Sequence, residues 1–295
     1  MKPMSDSIKK KKLIYFGLGF LLSFNVLAWA EVYDLSKPAR LEVNFFDVGQ
    51  GDAIFITTPS KQQILIDGGP SSAILEKISK AMPFYDRSID LVVFTHPDPD
   101  HLLGLIDVLR SYKIGAVGNT GIKSSKSGFI SWQTEVSENK IQEFYLTKGN
   151  VIKLSDDSYI KILAPFEDFK GKEAADANSS SLVMKLVFGR KSFLITGDSP
   201  KSVEEEMLEK EKEILDSDVL KVGHHGSKTS TSEAFLVAVS PEVAVIQVGK
   251  DNRYGHPNQE VLETLERYGI RILRTDQLGD IKITTDGNSL NINKN

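Results

Sequence analysis

The feature that most constrains the fold of this chain is a repeated local pattern, in which an apolar stretch of strand length ends in a turn of Gly, Asp or His. Three stretches share the pattern: residues 91–95 before His96, residues 192–196 before Gly197-Asp198, and residues 219–222 before a Gly-His-His-Gly turn. Each stretch has the length and composition of a buried strand. The sequence therefore predicts several short strands that end in polar side chains.

Other segments add further strands and helices to these three stretches. Alternating residues predict an opening antiparallel meander at residues 41–46, 53–58 and 63–66. Helical spacing of apolar residues, or a charged run, predicts helices at residues 71–81, 101–112, 201–213 and 258–268. We also predict a surface loop at residues 119–134 and a strand pair at residues 270–274 and 280–284. Because strands and helices are mixed without a dividing linker, two sheets with helices outside, an α/β fold, fit better than one parallel sheet.

The N-terminus has the composition of an export signal. Four consecutive lysines, residues 9–12, precede an uncharged apolar run that ends in Ala28-Trp29-Ala30. A basic segment, an apolar segment and small residues at a cleavage point are typical of a secretory signal peptide. We therefore predict a signal peptide at residues 1–30 and one folded domain at residues 31–295, exported to the periplasm or the extracellular space. The alternative is a retained membrane anchor, because the run has nearly the length of a membrane span.

Charge and cysteine content limit the function classes. The whole chain has a net charge of −4, and residues 1–30 carry five Lys and one Asp, so the remainder is near −8. An acidic domain is not a generic nucleic-acid binder, because such binding depends on Lys and Arg that neutralise phosphates. The chain has no cysteine, which excludes disulfides and cysteine-ligated metals. Any metal must be held by His and carboxylate side chains.

The strongest chemical signal is the cluster His96-Pro97-Asp98-Pro99-Asp100-His101. The two prolines oppose a regular helix through the cluster, so an extended loop presents its side chains together. Four candidate ligands within six residues indicate a metal site. The alternative is a capped helix start, with Asp100 as the capping residue.

Two downstream segments supply further candidate ligands. Asp198 follows a strand and a glycine, a position from which a carboxylate can bridge two metals. His224 and His225 follow another strand and glycine, and Ser227 and Lys228 come directly after them. Lys228 adds a cation that suits an anionic substrate.

These residues resemble the metallo-β-lactamase superfamily, whose signature is His-x-His-x-Asp-His. They are more similar to the branch at the C-terminal end of ComEC DNA-uptake proteins. The segments that carry the resemblance are Phe-Phe-Asp-Val-Gly-Gln-Gly-Asp (45–52), Leu-Ile-Asp-Gly-Gly (65–69), Thr-His-Pro-Asp-Pro-Asp-His-Leu-Leu-Gly (95–104), Asn-Ser-Ser-Ser-Leu-Val (178–183), Leu-Ile-Thr-Gly-Asp (194–198), Leu-Lys-Val-Gly-His-His-Gly-Ser (220–227) and Tyr-Gly-His-Pro (254–257).

The resemblance implies a four-layer αββα sandwich with one or two divalent metals at one edge. It assigns His96 and Asp98 to a first metal, and Asp100, His101 and His224 to a second. Asp198 would bridge the two, and Asn178, His225, Ser227 and Lys228 are candidate substrate contacts.

The chain departs from the superfamily signature at two points. Asp98 stands where most members have His, and no histidine lies between His101 and His224. The segment around Asn178 takes the place of that histidine. A site rich in carboxylates moves the metal preference from zinc towards manganese.

The resemblance and the ligand set together predict a metal-dependent hydrolase that uses a metal-activated water. We expect a phosphodiesterase or nuclease with an anionic substrate and no stable membrane association after signal cleavage. Asp98 or Asp100 would accept the proton of the water, and His256 would contact phosphate or protonate the leaving oxygen. The alternative for His256 is a loop histidine without a role in the chemistry. The alternatives are hydrolysis of a β-lactam or an ester, and a binding module without catalysis.

Overall fold

The computed structural model describes residues 6–36, 40–154 and 157–294, and it divides into two compact units, Met1–Ala39 and Arg40–Asn295. In the first unit, residues Asp6–Ser36 form one helix, α1. Its segment Lys10–Trp29 is long and apolar enough to cross a membrane, and the helix continues past Ala30 without a break. Both a signal peptide and an anchor have these properties. Residues 1–5 of the predicted signal peptide lie outside the described residues, and its cleavage stays a prediction.

In the second unit, the described residues form two mixed sheets. The eight-stranded sheet contains β1 (Leu41–Phe45), β2 (Ile54–Thr57), β3 (Gln63–Ile66), β4 (Ser88–Val93), β5 (Lys113–Asn119), β6 (Gln142–Tyr145), β14 (Ile281–Thr285) and β15 (Leu290–Lys294), in the order β15-β14-β1-β2-β3-β4-β5-β6. The seven-stranded sheet contains β7 (Val151–Lys153), β8 (Tyr159–Ala164), β9 (Val183–Phe188), β10 (Lys191–Ile195), β11 (Val219–Lys221), β12 (Val243–Ile246) and β13 (Arg271–Arg274), in the order β13-β12-β11-β10-β9-β8-β7. The opening strands β1, β2 and β3 pair antiparallel, as predicted.

Helices cover the outer face of each sheet. Helices α2 (Ala73–Ala81), α3 (Pro99–Ser111) and α4 (Ser127–Glu138) share one core with the first sheet, and α5 (Lys201–Lys210), α6 (Glu233–Val239) and α7 (Gln259–Arg267) share another with the second. A short helix, α8 (Thr275–Leu278), follows β13.

A third core lies between the two sheets. It contains Val43 and Ile54 from the first sheet and Met184 and Phe193 from the second, all 1% exposed or less. Alternate residues of one strand serve different cores, since Ile54 and Ile56 face the inner core and Phe55 the outer one. The predicted αββα sandwich is confirmed.

Two local predictions are wrong. The surface loop predicted at residues 119–134 overlaps helix α4 from residue 127 onwards, because Phe129, Trp132 and Val136 recur at helical spacing and are buried. The strands predicted as a pair at 270–274 and 280–284 are not neighbours: β13 pairs with β12, and β14 pairs with β1 in the other sheet.

Close backbone contacts fix the loops that carry the histidine cluster. A Cβ on Gly104 in α3 would lie 1.9 Å from the carbonyl oxygen of Gly68, and a Cβ on Gly51 would lie 2.1 Å from that of Asp100. The amide of Asp52 donates to the same Asp100 oxygen at 3.2 Å. Only glycine allows such approaches, so these residues tie the loop after β1 and the loop after β3 to the start of α3.

Candidate metal centre

The His96 to His101 segment joins the end of β4 to helix α3. Strand β4 ends at Val93, and α3 begins at Pro99, with extended backbone at Asp98. Proline suits the first helical position, because the amide proton that it lacks would have no partner within the helix there. Asp100 therefore lies in the first turn of α3 rather than capping it, and His96 and His101 are fully buried.

The second sheet contributes Asp198, His224 and His225. Asp198 follows β10, and the two histidines follow β11, which pairs parallel with β10. Both histidines have left-handed backbone, with φ of 48° and 54°. This conformation is unfavourable for residues other than glycine and is typical of functional sites. It places two consecutive imidazoles beside Asp198.

Four imidazole Nε2 atoms converge on one oxygen of Asp198. Their distances from Oδ2 are 3.3 Å for His101, 3.5 Å for His225, 3.6 Å for His224 and 4.0 Å for His96. Asp100 approaches from α3, with Oδ2 3.3 Å from Nε2 of His225. Donor atoms of His96, His101 and Asp198, and likewise of Asp100, His101 and His225, lie close enough together to share an ion.

In all four imidazoles the other nitrogen has a hydrogen-bond partner, which for His224 is the Thr229 hydroxyl at 3.1 Å. His101 Nδ1 donates to Asp67 Oδ2 at 2.7 Å, and His225 Nδ1 donates to the Gln247 carbonyl at 3.0 Å. Thr95 donates its hydroxyl proton to Asp67 and lies 3.0 Å from His96 Nδ1, from which it can accept. An engaged Nδ1 directs the Nε2 lone pair towards the cluster, as in histidines that bind metals.

A buried lysine balances the carboxylates on the other side of Asp198. The ammonium of Lys221 is fully buried, forms an ion pair with Asp52 Oδ2, and lies 3.8 Å from Asp198 Oδ1. Asp52 Oδ1 in turn lies 3.2 Å from His225 Nδ1. Asp198 therefore presents one oxygen to a lysine and the other to the histidines.

The electrostatics of the cluster favour a bound cation. Burial lowers the pKa of His225, but Asp198 and Asp52 outweigh burial and raise this pKa to about 9. Burial opposes ionisation of Asp52 too, yet Lys221 and His225 lower its pKa to about 2. His101 likewise has a pKa well above its ordinary value, since Asp198 and its other carboxylate neighbours outweigh burial. The negative potential that retains these protons also attracts a divalent ion, which would displace them.

The residues fit a metal on a second ground as well. The Nε2 atoms of His96, His101 and His225 are buried without a hydrogen-bond partner. Buried polar atoms are otherwise almost always paired. Unpartnered imidazole nitrogens that face one carboxylate are the donor set that divalent metals bind.

Asp98 and His256 lie at the edge of this cluster. Asp98 Oδ2 is 3.6 Å from His96 Nε2, and its other oxygen pairs with Lys126 at 2.6 Å. His96 and then Lys126 hold the pKa of Asp98 well below its usual range. The His256 ring stands edge-on to that of His224, with 5.7 Å between centroids, and burial lowers the pKa of His256.

The remaining predicted residues are placed less centrally. Asn178 lies in a single helical turn, Ala177–Ser180, and its Oδ1 is buried without a partner. Ser181, next to that turn, accepts a hydrogen bond from the Asp198 amide at 3.3 Å. Ser227 bonds Thr229 at 2.9 Å. Lys228 is exposed and lines a separate cleft of about 250 Å³ with Lys201 and Arg267, among others.

Sequence reasoning missed two parts of the site. Lys221 is absent from the predicted site residues, although a lysine between Leu220 and Val222 in an apolar strand indicates a buried charge. His225 was predicted only as a substrate contact, yet its Nε2 lies among the candidate ligands beside His224. The left-handed backbone of that turn decides whether His224 or His225 lies closer to Asp198.

Comparison with known proteins shows the family and the fold of the chain. The model of the metallo-beta-lactamase superfamily matches residues 46–250. The chain belongs to this superfamily. Its fold resembles that of the metallo-beta-lactamase fold protein YhfI from Bacillus subtilis, with a TM-score of 0.59 at 11% identity over 84% of this chain and 100% of that one. It also resembles Zn(2+)-bound PqqB from Methylobacterium extorquens, with a TM-score of 0.51 at 11% identity over 80% and 97% of the two chains.

Among curated sequences, the chain is similar to competence proteins. It is 34% identical over 262 residues to ComE operon protein 3 of Bacillus subtilis, and 32% identical over 241 residues to competence protein ComA of Neisseria gonorrhoeae. These alignments cover 82% and 81% of this chain but 32% of each relative. The chain thus spans about a third of the length of these relatives, and the predicted resemblance to the ComEC branch is confirmed.

Proposed function

We propose that this protein is an exported metal-dependent phosphodiesterase or nuclease. The observation that carries the proposal is the convergence of four imidazole Nε2 atoms within 4.0 Å of Asp198 Oδ2. Asp98 and Asp100 add carboxylates to the same place. Such a donor set belongs to a site that binds one or two divalent cations, zinc or manganese.

We assign the ligands from the contacts around Asp198. His96 and Asp98 would hold one ion, and Asp100 and His101 a second, with Asp198 shared between them. His225 joins the second group through its contacts with Asp100 and Asp198, and His224 borders it at 3.6 Å from Asp198. A bound divalent ion would supply an acidified water and positive charge opposite phosphate oxygens.

The side chains around the ligands have distinct tasks. Asp67 holds His101 in the tautomer that leaves Nε2 free. Asp98 and Asp100 are partly exposed, at 26% and 30% of the side chain, so either carboxylate can accept a proton from an entering water. His256 has a lowered pKa and an unpartnered Nδ1, so at neutral pH its ring can contact a phosphate or relay a proton to a leaving oxygen.

The substrate class follows from charge and from the relatives. Carboxylate ligands make the site harder and richer in oxygen than a purely histidine-based zinc site, which suits phosphate esters better than the neutral amide of a β-lactam. Relatives named for competence support a role in handling nucleic acid. The apolar segment Lys10–Trp29 supports export, with retention as an anchor the alternative.

The test is a substrate panel with the full chain purified in detergent. Single-stranded DNA, double-stranded DNA, RNA, a chromogenic phosphodiester and a β-lactam are each incubated with manganese and with zinc. We expect metal-dependent cleavage of a phosphodiester, and loss of it in Asp100→Asn. Asp107→Asn is the matched control and should retain activity, because Asp107 lies on the same helix but is not a candidate ligand. Cleavage of the β-lactam alone, or unchanged activity of Asp100→Asn, would refute the proposal.

A further inference from the structure

An exposed aromatic residue stands beside the metal centre on a rigid loop. The loop follows β12 and spans residues 249–257. The Asn252 side chain braces it from within: its Nδ2 donates to the carbonyls of Gly249 and His256 at 2.8 and 2.7 Å. Its Oδ1 accepts from the amides of Tyr254 and His256 at 3.2 and 3.0 Å. These bonds fix the backbone of the loop at Tyr254.

Tyr254 is connected to the cluster through two ring contacts, one stacked and one edge-on. Its ring lies nearly parallel to that of His256, at 23° with 5.8 Å between centroids. The His256 ring then stands edge-on to His224, whose Nε2 is 3.6 Å from Asp198. Tyr254 nevertheless remains 56% exposed, so it does not serve to fill a core.

A cationic side chain accompanies the ring. The guanidinium carbon of Arg253 lies 5.4 Å from the Tyr254 centroid, and the Arg253 side chain is exposed. An arginine on a flexible stem can move aside for a flat ligand and then pair with a phosphate. A large exposed aromatic ring and an arginine are together the elements of sites that stack the bases of single-stranded nucleic acid.

We propose that Tyr254 and Arg253 form a nucleobase-stacking subsite next to the metal centre. This inference rests on the proposed function and specifies its substrate: a nucleic acid with an unpaired base adjacent to the phosphate at the metals. Tyr254 stacks with that base, and Arg253 contacts a neighbouring phosphate. The subsite favours single-stranded over double-stranded substrate, because a paired base is not free to stack on a protein ring.

The subsite also accounts for how an acidic domain can hold a polyanion. With a net charge near −8 outside residues 1–30, the domain gains little from long-range attraction of phosphates. Stacking is independent of net charge and acts only at the rim of the site. Affinity should then depend on the presence of bases and not only on the number of phosphates.

The test measures binding of a labelled DNA 12-mer by fluorescence anisotropy, with metal-stripped full chain in detergent and EDTA. Two oligonucleotides are compared, one with bases and one that carries abasic sites throughout. We expect Tyr254→Ala to weaken binding of the normal strand about 5-fold or more, and to weaken binding of the abasic strand much less. Tyr254→Phe should restore most of the loss. Tyr268→Ala is the matched control, because Tyr268 is also exposed and has Arg267 at 5.8 Å from its ring.

Three results would overturn the subsite: no binding by the wild type, unchanged affinity in Tyr254→Ala, or an equal loss on both strands. The proposed function is tested separately by the cleavage panel. If the wild type cleaves phosphodiesters while Tyr254→Ala binds normally, the subsite is wrong and the hydrolase stands. If base-dependent binding is found without cleavage under any metal, the subsite stands and the hydrolase is wrong.

Discussion

Removal of the buried Lys221 ammonium should destabilise the metal-free protein more than any surface change. In Lys221→Met the side-chain volume is nearly kept, but Asp52 and Asp198 lose the cation between them. At 3.8 Å, the attraction between Lys221 and Asp198 alone corresponds to roughly 4 kcal/mol at an effective dielectric constant of about 20. Removing one partner of a buried pair typically costs about 3–5 kcal/mol. We expect a loss of this size in the free energy of unfolding.

The assay is urea unfolding of the full chain in detergent, followed by the fluorescence of the buried Trp132. Lys172→Met is the matched control, because Lys172 pairs with Glu167 at 3.1 Å with both side chains more than half exposed, and its loss should cost about 1 kcal/mol or less. Added manganese or zinc should restore more stability to Lys221→Met than to the wild type, since the ion neutralises the carboxylates left without a partner. Equal losses in the two variants, or no extra recovery with metal, would refute this reasoning.

Three further predictions concern the supports of the site. Asp67→Asn, which weakens the acceptor for His101, should lower metal affinity about 10- to 100-fold in calorimetric titration, and unchanged affinity would contradict it. Gly104→Ala should lower the free energy of unfolding by about 1–3 kcal/mol, because its Cβ would lie 1.9 Å from the Gly68 oxygen; a stabilised variant would show that the contact is not tight. Burial raises the pKa of Glu204 above 4.5, so its contribution to stability is largest below that pH and falls as the pH rises through the raised value. The wild type should therefore lose stability relative to Glu204→Gln between about pH 4 and pH 7, and a relative gain over that range would refute the assignment.

The sequence predicts those parts of the site that are local in the chain. Asp98, Asp100 and the two flanking histidines stand within six residues, so their common location follows from the two prolines and the strand before them. Helix α4 was missed because Ser and Gly near its start hid the spacing of its buried residues, Phe129 and Trp132 among them. The strand pair at the C-terminus was misassigned because adjacency in sequence does not decide which sheet a strand joins.

The long-range contacts could not be predicted from local patterns. Lys221 meets Asp52 only because the loop after β1 and the end of β11 reach the same edge of the sandwich, and sheet order decides that. The choice between His224 and His225 depends on two left-handed residues in succession, a conformation for which sequence gives no clear rule outside glycine. Motif residues can thus be predicted from the sequence, whereas the contacts that orient their side chains depend on the topology of the fold.

The charges around Asp198 offer a physical reason for the departures from the superfamily signature. Because Lys221 neutralises one side of that carboxylate, its other oxygen can face four imidazoles without an excess of buried negative charge. Asp98 in place of a histidine adds negative charge at the outer edge of the cluster, where Lys126 offsets it. Lys221 in the interior and Lys126 at the outer edge thus offset the negative charge of the carboxylates between them. This distribution is compatible with the oxygen-rich metal centre that we propose for a chain without the usual middle histidine.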